Sequence, residues 1–215
     1  MFRKLFAVVF LALTFAAGAD AAPLADQPEG VTPLLIGGRV PDASLQTLDG
    51  NGVSLRTVLD GKPSIVVFYR GGWCPFCNLQ LGQINQAKPA LAALGYQIIA
   101  LTPDPPEAVK RTLGDDKLDY AIYSDRQIEA LKAFGVGYRV KESQMDLYRK
   151  HKIDLAGVPG AEADHALPVP AIFIVDGKGI IQFVYVNPDY RIRLSPDLLL
   201  AAAKASLNVQ ALKPN

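Results

Sequence analysis

Two cysteines, Cys74 and Cys77, stand two residues apart in the stretch Cys-Pro-Phe-Cys, and the chain of 215 residues has no other cysteine. A thiol is a weak nucleophile until it loses its proton, and a nearby cation or helix N-terminus lowers its pKa. A second thiol within one helical turn can attack the adduct that the first has formed and release it as an internal disulfide. The spacing therefore predicts a redox-active dithiol.

The same two cysteines could instead form a structural disulfide or bind zinc. A bridge across two intervening residues closes a very short loop, which gives it little stabilising power. Zinc would need His151 and His165 as further ligands, and these stand farther apart than the second ligand pair of a typical zinc site. We predict a redox role and no metal site. A non-catalytic binding module with an inert disulfide stays open as an alternative of another class.

The elements around the dithiol predict an α/β fold. Ser64 to Tyr69 (SIVVFY) is typical of a buried central strand, and apolar residues recur at helical spacing from Pro75 onward. Strands and helices then alternate as far as Phe134, which favours a central, mostly parallel sheet with helices on both faces. The cysteines would lie where the strand turns into the helix, so that the positive end of the helix dipole stabilises a thiolate.

Further elements are predicted on either side of this centre. Turn sequences Asp-Gly-Asn-Gly at 49–52 and Asp-Gly-Lys-Gly at 176–179 each indicate a β-hairpin. Between the hairpins, Lys141 to Lys150 indicates an amphipathic helix, and a polar loop is expected from about Asp154 to Pro168. Ser195, followed by proline and aspartate, is typical of the N-cap of a last helix that ends near Ser206.

The N-terminal segment has the pattern of a secretory signal peptide. Arg3 and Lys4 precede an apolar run too short to span a bilayer, and Ala19-Asp20-Ala21 offers a cleavage site. We predict cleavage after Ala21, and hence a periplasmic or otherwise secreted protein without membrane insertion. Residues 22–33 are predicted to be a flexible leader, residues 34–207 one domain, and residues 208–215 a tail.

Charge excludes several classes of partner. Removal of residues 1–21 takes two basic residues and one acidic residue from totals of 22 and 21, which leaves a chain of nearly zero net charge. Such a balance gives no reason to expect nucleic acid or a strongly charged substrate. No bound cofactor is implied.

The stretches GGWCPFCNLQL and LPVPAIFIVD carry a specific resemblance. With the two hairpins and the strand before the cysteines, they resemble the peroxiredoxin-like branch of the alkyl hydroperoxide reductase and thiol-specific antioxidant group, within the thioredoxin-fold superfamily. The resemblance covers about Leu34 to Ala203. It implies a thioredoxin-like fold with a helical insertion before Pro170, and a thiol-dependent enzyme that reduces peroxides and is restored by an external thiol reductant protein.

The resemblance implies roles for both cysteines and for Arg70. Peroxiredoxins have a proline, a threonine and the peroxidatic cysteine at positions that fall here on Arg70, Cys74 and Cys77. Cys77 then matches the attacking cysteine, Cys74 replaces the threonine, and Arg70 replaces the proline and offers a cation. The thioredoxin-type assignment instead makes Cys74 the nucleophile, and implies exchange with protein disulfides as the alternative function. The sequence leaves the choice of nucleophile open.

Two further residues are assigned as active-site neighbours by the same resemblance. Arg193, with Arg191 as the other candidate, resembles the distal arginine that peroxiredoxins aim at the thiolate. Trp73 is expected to cover the motif as an apolar wall.

Pro170, rather than Pro168, matches the proline that thioredoxin-like folds hold in cis opposite the cysteines. Asp104 and Tyr190 lie in matching stretches and are expected to have structural rather than catalytic roles.

Overall fold

The computed structural model describes residues 23–158 and 161–207, so the predicted signal peptide with its cleavage site and the tail lie outside the described residues. The strands in this part of the chain are β1 (Ser44–Gln46), β2 (Gly52–Ser54), β3 (Ser64–Phe68), β4 (Gln97–Thr102), β5 (Ala121–Ser124), β6 (Gly137–Val140), β7 (Ala156–Val158), β8 (Ala161–Pro168), β9 (Ala171–Val175) and β10 (Ile181–Val186). The α-helices are α1 (Leu55–Leu59), α2 (Pro75–Ala93), α3 (Pro106–Asp115), α4 (Glu129–Ala133), α5 (Glu142–Lys150) and α6 (Pro196–Ser206). None of these helices is long and apolar enough to cross a membrane.

A seven-stranded mixed sheet forms the centre of the molecule, in the order β10-β9-β3-β4-β5-β1-β2. β3 pairs with β4 and β4 pairs with β5 in parallel, as the alternation of strands and helices predicts. The other four pairings are antiparallel, because both predicted hairpins add their strands to this sheet. The predicted thioredoxin-like α/β fold is confirmed, with parallel pairing confined to the centre of the sheet.

Helices cover both faces of the sheet, because the four residues of β3 that follow Ser64 are all apolar and buried. Val66 and Phe68 belong to a core that includes residues of α1 and α4, whereas Ile65 and Val67 belong to a core with α2, α3 and α6. Successive side chains of a strand point to opposite faces, so a strand buried on both sides is apolar on both. This strand carries the chain to the cysteines at the start of α2.

The segment between α4 and β9 differs in part from the prediction. The predicted helix at Lys141 to Lys150 is confirmed as α5, but the predicted polar loop from Asp154 to Pro168 is wrong. β7 and β8 lie there, and with β6 they form a second sheet in the order β6-β8-β7. The sheet forms because Leu155 and Leu167 are buried and β8 pairs with β6.

Part of the predicted flexible leader is packed against the domain. Leu24 is buried, and Ala25 exchanges backbone hydrogen bonds with β6, donating to Gly137 and accepting from Arg139. The Leu34 amide donates to the carbonyl of Phe134 at the end of α4. Both ends of this segment, at Leu24 with Ala25 and at Leu34, are therefore attached to the domain.

Pro170 lies where the sequence places it, but its predicted cis peptide bond is wrong, because no cis bond occurs in the described residues. Ala171 pairs with Phe68, so Pro170 lies beside the end of β3, next to the turn that carries the cysteines. The trans isomer is intrinsically favoured by about 0.5–1 kcal/mol, and the backbone here accommodates it.

Candidate active site

The dithiol lies at the N-terminus of α2, where strand β3 turns into the helix. Cys74 is the N-cap residue and Cys77 is the third residue of the helix, with its amide donating to the Cys74 carbonyl at 2.9 Å. The two cysteines are 1% and 0% exposed, and both are free thiols. The sulfurs thus share one helical turn, as the spacing predicts, and both are buried.

Two glycines let the turn before Cys74 pack closely. A Cβ on Gly71 would lie 2.2 Å from Nε1 of Trp73, and a Cβ on Gly72 would lie 1.9 Å from Oγ1 of Thr112. Gly71 also has a φ of +154°, which side chains rarely adopt. Only glycine fits at either position without displacing its neighbours.

Asp104, at the end of the loop that follows β4, holds this turn. Its carboxylate accepts hydrogen bonds from the Gly72 amide at 2.9 Å and from Nε1 of Trp73 at 3.2 Å. Burial raises the pKa of Asp104 to about 6, although these two donors oppose the shift. Asp104 therefore positions the loop that carries the dithiol. Trp73 packs against the core that contains both cysteines and is anchored by this carboxylate.

Arg193 reaches the dithiol from the segment between β10 and α6. Its Nη2 donates to the sulfur of Cys77 at 3.3 Å, and its Nη1 donates to Oε1 of Gln80 at 2.8 Å. Gln80 is buried one turn after Cys77 on α2. The other candidate, Arg191, is exposed and forms an ion pair with Asp189 instead.

Arg70 is buried beside the dithiol in an aromatic enclosure. Its guanidinium lies over the rings of Tyr190 and Trp73, at 4.3 and 5.0 Å from their centroids, and Nη2 donates to the Tyr148 hydroxyl at 2.8 Å. Burial acts to lower the pKa of Arg70, but the neighbouring phenols and thiols raise it on balance. The guanidinium therefore stays charged next to the sulfurs.

The two thiols titrate as a pair. The pKa of Cys74 is lowered to about 6, mainly because the Cys77 thiol donates a hydrogen bond to it, with Arg70 and Arg193 adding to the effect. Burial raises the pKa of Cys77 well above its usual range. At neutral pH the pair therefore holds one proton and one negative charge. Transfer of this proton along the hydrogen bond between the two sulfurs moves the negative charge from one sulfur to the other.

Several site residues were missed by sequence reasoning. Tyr148 on α5 accepts a hydrogen bond from Arg70, the phenol of Tyr138 on β6 helps to raise the pKa of Arg70, and Gln80 orients Arg193. Their contacts join positions far apart in the chain, so spacing gives no signal for them. Tyr190, expected to be structural, covers Arg70 and accepts from Nε of Arg193 through its carbonyl.

The two histidines do not join the dithiol in a metal site. His151 follows α5 on the surface, whereas His165 lies in β8, paired with Val140. In the described ranges, no group of three or more histidine, cysteine, aspartate or glutamate side chains is arranged to hold a metal ion.

Comparison with known proteins matches the chain to a known family. The model of the AhpC/TSA family matches residues 36–184. The chain is similar to Peroxiredoxin Bcp of Escherichia coli, with 28% identity over 106 residues that make up 49% of this chain and 67% of that protein.

Solved structures share the fold. The crystal structure of Peroxidoxin BcpB from Mycobacterium tuberculosis superposes with a TM-score of 0.59 at 20% identity, covering 79% of this chain and 96% of that one. The structure of reduced Prx3 from Vibrio vulnificus in complex with H₂O₂ gives a TM-score of 0.62 at 16% identity, covering 79% and 99%.

Proposed function

The chain belongs to the AhpC/TSA family, and we propose that its Cys74–Cys77 dithiol reduces peroxides, with Cys77 as the attacking cysteine. Family membership makes the protein an oxidoreductase of the thiol peroxidase type, which acts on a peroxide and is restored by a thiol reductant. The use of this particular pair, and the order in which the two sulfurs act, are our proposal.

One observation carries this assignment: Nη2 of Arg193 contacts the sulfur of Cys77. A guanidinium at this place stabilises the thiolate and the negative charge that develops on the peroxide oxygens as the O–O bond breaks. Cys74, at the threonine position of the family, accepts a hydrogen bond from the Cys77 thiol and can take its proton as Cys77 attacks. The near-complete burial of both sulfurs further favours a small peroxide over a bulky protein disulfide.

The proposed reaction has three steps: oxidation of Cys77, formation of the disulfide and its reduction. The Cys77 thiolate attacks the terminal peroxide oxygen, an S–O bond forms, the O–O bond breaks, and the released alkoxide or hydroxide takes a proton from water. Cys74 then attacks the sulfur of the sulfenic acid, and water leaves as the disulfide forms. An external dithiol reduces that disulfide by exchange and is itself oxidised.

The place of action is a further part of the proposal. The basic start, the short apolar run and the Ala-x-Ala site of the first 21 residues support export and cleavage after Ala21. Intact mass of the protein from the periplasm tests this: we expect a chain that begins at Ala22, and a chain that keeps its first residues would contradict export with cleavage.

A second candidate function, exchange with protein disulfides, is favoured by the low pKa of Cys74, about 6, at the N-cap position. A thiolate at the start of a helix is the nucleophile of Cys-x-x-Cys oxidoreductases. In that case Cys74 would attack and Cys77 would resolve.

Two rates measured on the same reduced protein separate these functions. We expect rapid consumption of hydrogen peroxide with dithiothreitol as reductant, and slow reduction of insulin disulfides. The variant with serine at both cysteine positions serves as the blank for both assays. Slow peroxide consumption combined with rapid insulin reduction would overturn the peroxidase assignment in favour of disulfide exchange.

A further inference from the structure

Two guanidinium groups lie beside the dithiol without a carboxylate partner. Arg193 donates to Cys77, Gln80 and the Tyr190 carbonyl, and Arg70 contacts phenols and aromatic rings. Throughout the described part of the chain, neither forms an ion pair with an aspartate or glutamate, whereas Arg191 on the same loop pairs with Asp189. Two positive charges thus face a dithiol that supplies at most one negative charge near neutral pH.

Arg70 is the less satisfied of the two guanidiniums. It is 7% exposed, and its Nε is buried without a hydrogen-bond acceptor. Burying a charged group is costly unless an opposite charge and hydrogen bonds compensate. Tyr148 and the two stacked rings supply an acceptor and polarisable surface, but no negative charge. An anion is the partner that this position lacks.

The acidic side chain of the adjoining loop, Asp104, is occupied elsewhere. Its carboxylate accepts hydrogen bonds from the Gly72 amide and from Nε1 of Trp73. The charges that contribute most to lowering its pKa are those of Arg126 and Arg111. It therefore does not balance the charge beside the sulfurs.

The surface next to the guanidiniums is apolar. Tyr190 covers Arg70 and is 40% exposed, and Phe76 packs edge-on against it with ring centroids 5.7 Å apart. Ile192 on the same loop and Leu79 on α2 are also exposed. A displacement of the Tyr190 ring would uncover one face of Arg70 while leaving an apolar rim for an organic group.

We propose that Arg70 forms an anion-binding subsite, which takes the carboxylate of an organic hydroperoxide whose apolar body lies on Phe76, Tyr190 and Ile192, while Arg193 stays with the peroxide oxygens at Cys77. This inference rests on the proposed peroxidase function and specifies its substrate class. The chemical step is unchanged: sulfur takes the terminal oxygen as sulfenic acid, and the released alkoxide takes a proton from water to give a hydroxy acid.

A matched pair of peroxides tests the inference in single-turnover mixing, with the fluorescence of Trp73, the only tryptophan, as the signal. Cumene hydroperoxide is compared with its 4-carboxylate derivative, which differs only in the charged group. We expect the carboxylate to react about tenfold faster, as a charge-assisted hydrogen bond predicts. The preference should vanish in Arg70→Gln and persist in Arg191→Gln, which removes an equal charge already paired with Asp189. Equal rates in the native protein, or an unchanged preference in Arg70→Gln, would overturn the inference.

Binding of unreactive analogues keeps the inference testable if peroxide reduction itself fails. The native protein should bind 4-isopropylbenzoate about tenfold more tightly than 4-isopropylbenzamide by titration of the same fluorescence. This comparison needs no variant, so misfolding of Arg70→Gln cannot obscure it. Equal affinities would refute the subsite, whatever the peroxidase activity.

The reductant is the other source of an anion. Reduction of the oxidised protein by 3-mercaptopropionate is therefore compared with reduction by 2-mercaptoethanol. A carboxylate preference confined to this half-reaction would assign the anion to the reductant and contradict the inference.

Discussion

At the scale of single residues, the position of one proton decides how the dithiol reacts. Only a thiolate attacks a peroxide efficiently. The lower pKa belongs to Cys74, at about 6, whereas the guanidinium contact belongs to Cys77. The hydrogen bond between the sulfurs reconciles these observations, because the proton can move to Cys74 as Cys77 attacks. We assign the attack to Cys77, because the Arg193 guanidinium that contacts its sulfur stabilises the transition state.

The first prediction concerns pH. A lowered pKa means that the reactive monoanion exists above that value and is lost as the pH falls through it. The rate constant of the reduced protein with hydrogen peroxide should be half-maximal near pH 6 and constant from about pH 7.5 upward, whereas an ordinary thiol is half-ionised near pH 8.5. Stopped-flow mixing across this range, with ultraviolet absorbance of the thiolate measured in parallel, checks it. A midpoint near pH 8.5 would contradict the lowered pKa.

The second prediction concerns Arg193. Replacement by glutamine should lower the peroxide rate constant by about a hundredfold, the scale expected when one donor to a developing charge is removed. Arg193→Lys should be intermediate, because one ammonium cannot replace the planar donor pair that serves Gln80 and Cys77 together. Arg191→Gln is the control and should react normally. Equal losses in the two glutamine variants would show a general charge effect instead of a specific contact.

The chemistry-bearing residues were the part of the site that the sequence could predict. The spacing of Cys74 and Cys77 indicated a dithiol, and the resemblance pointed to Arg193. Gln80 and Tyr148 could not be found in this way, because their roles depend on which side chains meet in space. Gln80 meets an arginine 113 positions away, and Tyr148 meets one 78 positions away.

At the scale of elements, the dithiol depends on the tight turn between β3 and α2. Gly72 packs against Thr112 of α3, and the Asn78 side chain of α2 donates a hydrogen bond to the Gly72 carbonyl at 2.8 Å. Two helices, α2 and α3, thereby fix the backbone that leads into Cys74.

The third prediction tests this turn. Gly72→Ala should slow the peroxide reaction and lower the free energy of unfolding, because its Cβ would lie 1.9 Å from Oγ1 of Thr112. Gly82→Ala is the matched control: nothing lies within 4 Å of its Cβ, and it should stabilise the helix by about 0.5–1 kcal/mol. Urea unfolding and peroxide kinetics measure both effects.

Combining Thr112→Ala with Gly72→Ala removes the oxygen that the new Cβ would clash with. The double variant should regain part of the stability and of the peroxide rate that Gly72→Ala loses, and a double-mutant cycle detects this recovery as coupling between the two positions. Additive effects would mean that the side chains at positions 72 and 112 do not interact.

The elements that the sequence predicted best have a strong pattern. β3 is apolar from Ile65 to Phe68, and α6 begins with a serine N-cap whose hydroxyl accepts from the Leu198 amide. β7 and β8 were missed because Ala156–Val158 and Ala161–Pro168 contain short, alanine-rich sequence without regular alternation. Their pairing with β6 stabilises them, and only the tertiary structure specifies that pairing.

At the scale of the whole molecule, the N-terminal segment supports the active site from a distance. Leu24 packs on Gly137, and Ala25 exchanges backbone hydrogen bonds with β6. β6 carries Tyr138, whose phenol helps to raise the pKa of Arg70. The sequence suggested a flexible leader because this segment has no periodicity, and the single buried leucine gave no signal of its own.

The fourth prediction measures this support. Leu24→Ala should lower the free energy of unfolding by about 2–3 kcal/mol, as expected for a buried leucine. Leu35→Ala is the matched control, because Leu35 is 79% exposed and should change stability by less than about 0.5 kcal/mol. Urea unfolding of both variants gives the comparison. A negligible effect of Leu24→Ala would contradict the packing of this segment on β6.

The central claim is that Cys77 attacks the peroxide and Cys74 closes the disulfide. It is tested most directly by rapid mixing of reduced native protein, Cys74→Ser and Cys77→Ser with hydrogen peroxide, followed by intact mass and by peptide mapping of the oxidised cysteine. We predict that Cys74→Ser rapidly accumulates a sulfenic acid on Cys77, that the native protein closes the Cys74–Cys77 disulfide, and that Cys77→Ser reacts no faster than a free thiol of similar pKa. Rapid oxidation of Cys74 in Cys77→Ser, with Cys77 unreactive in Cys74→Ser, would contradict the account.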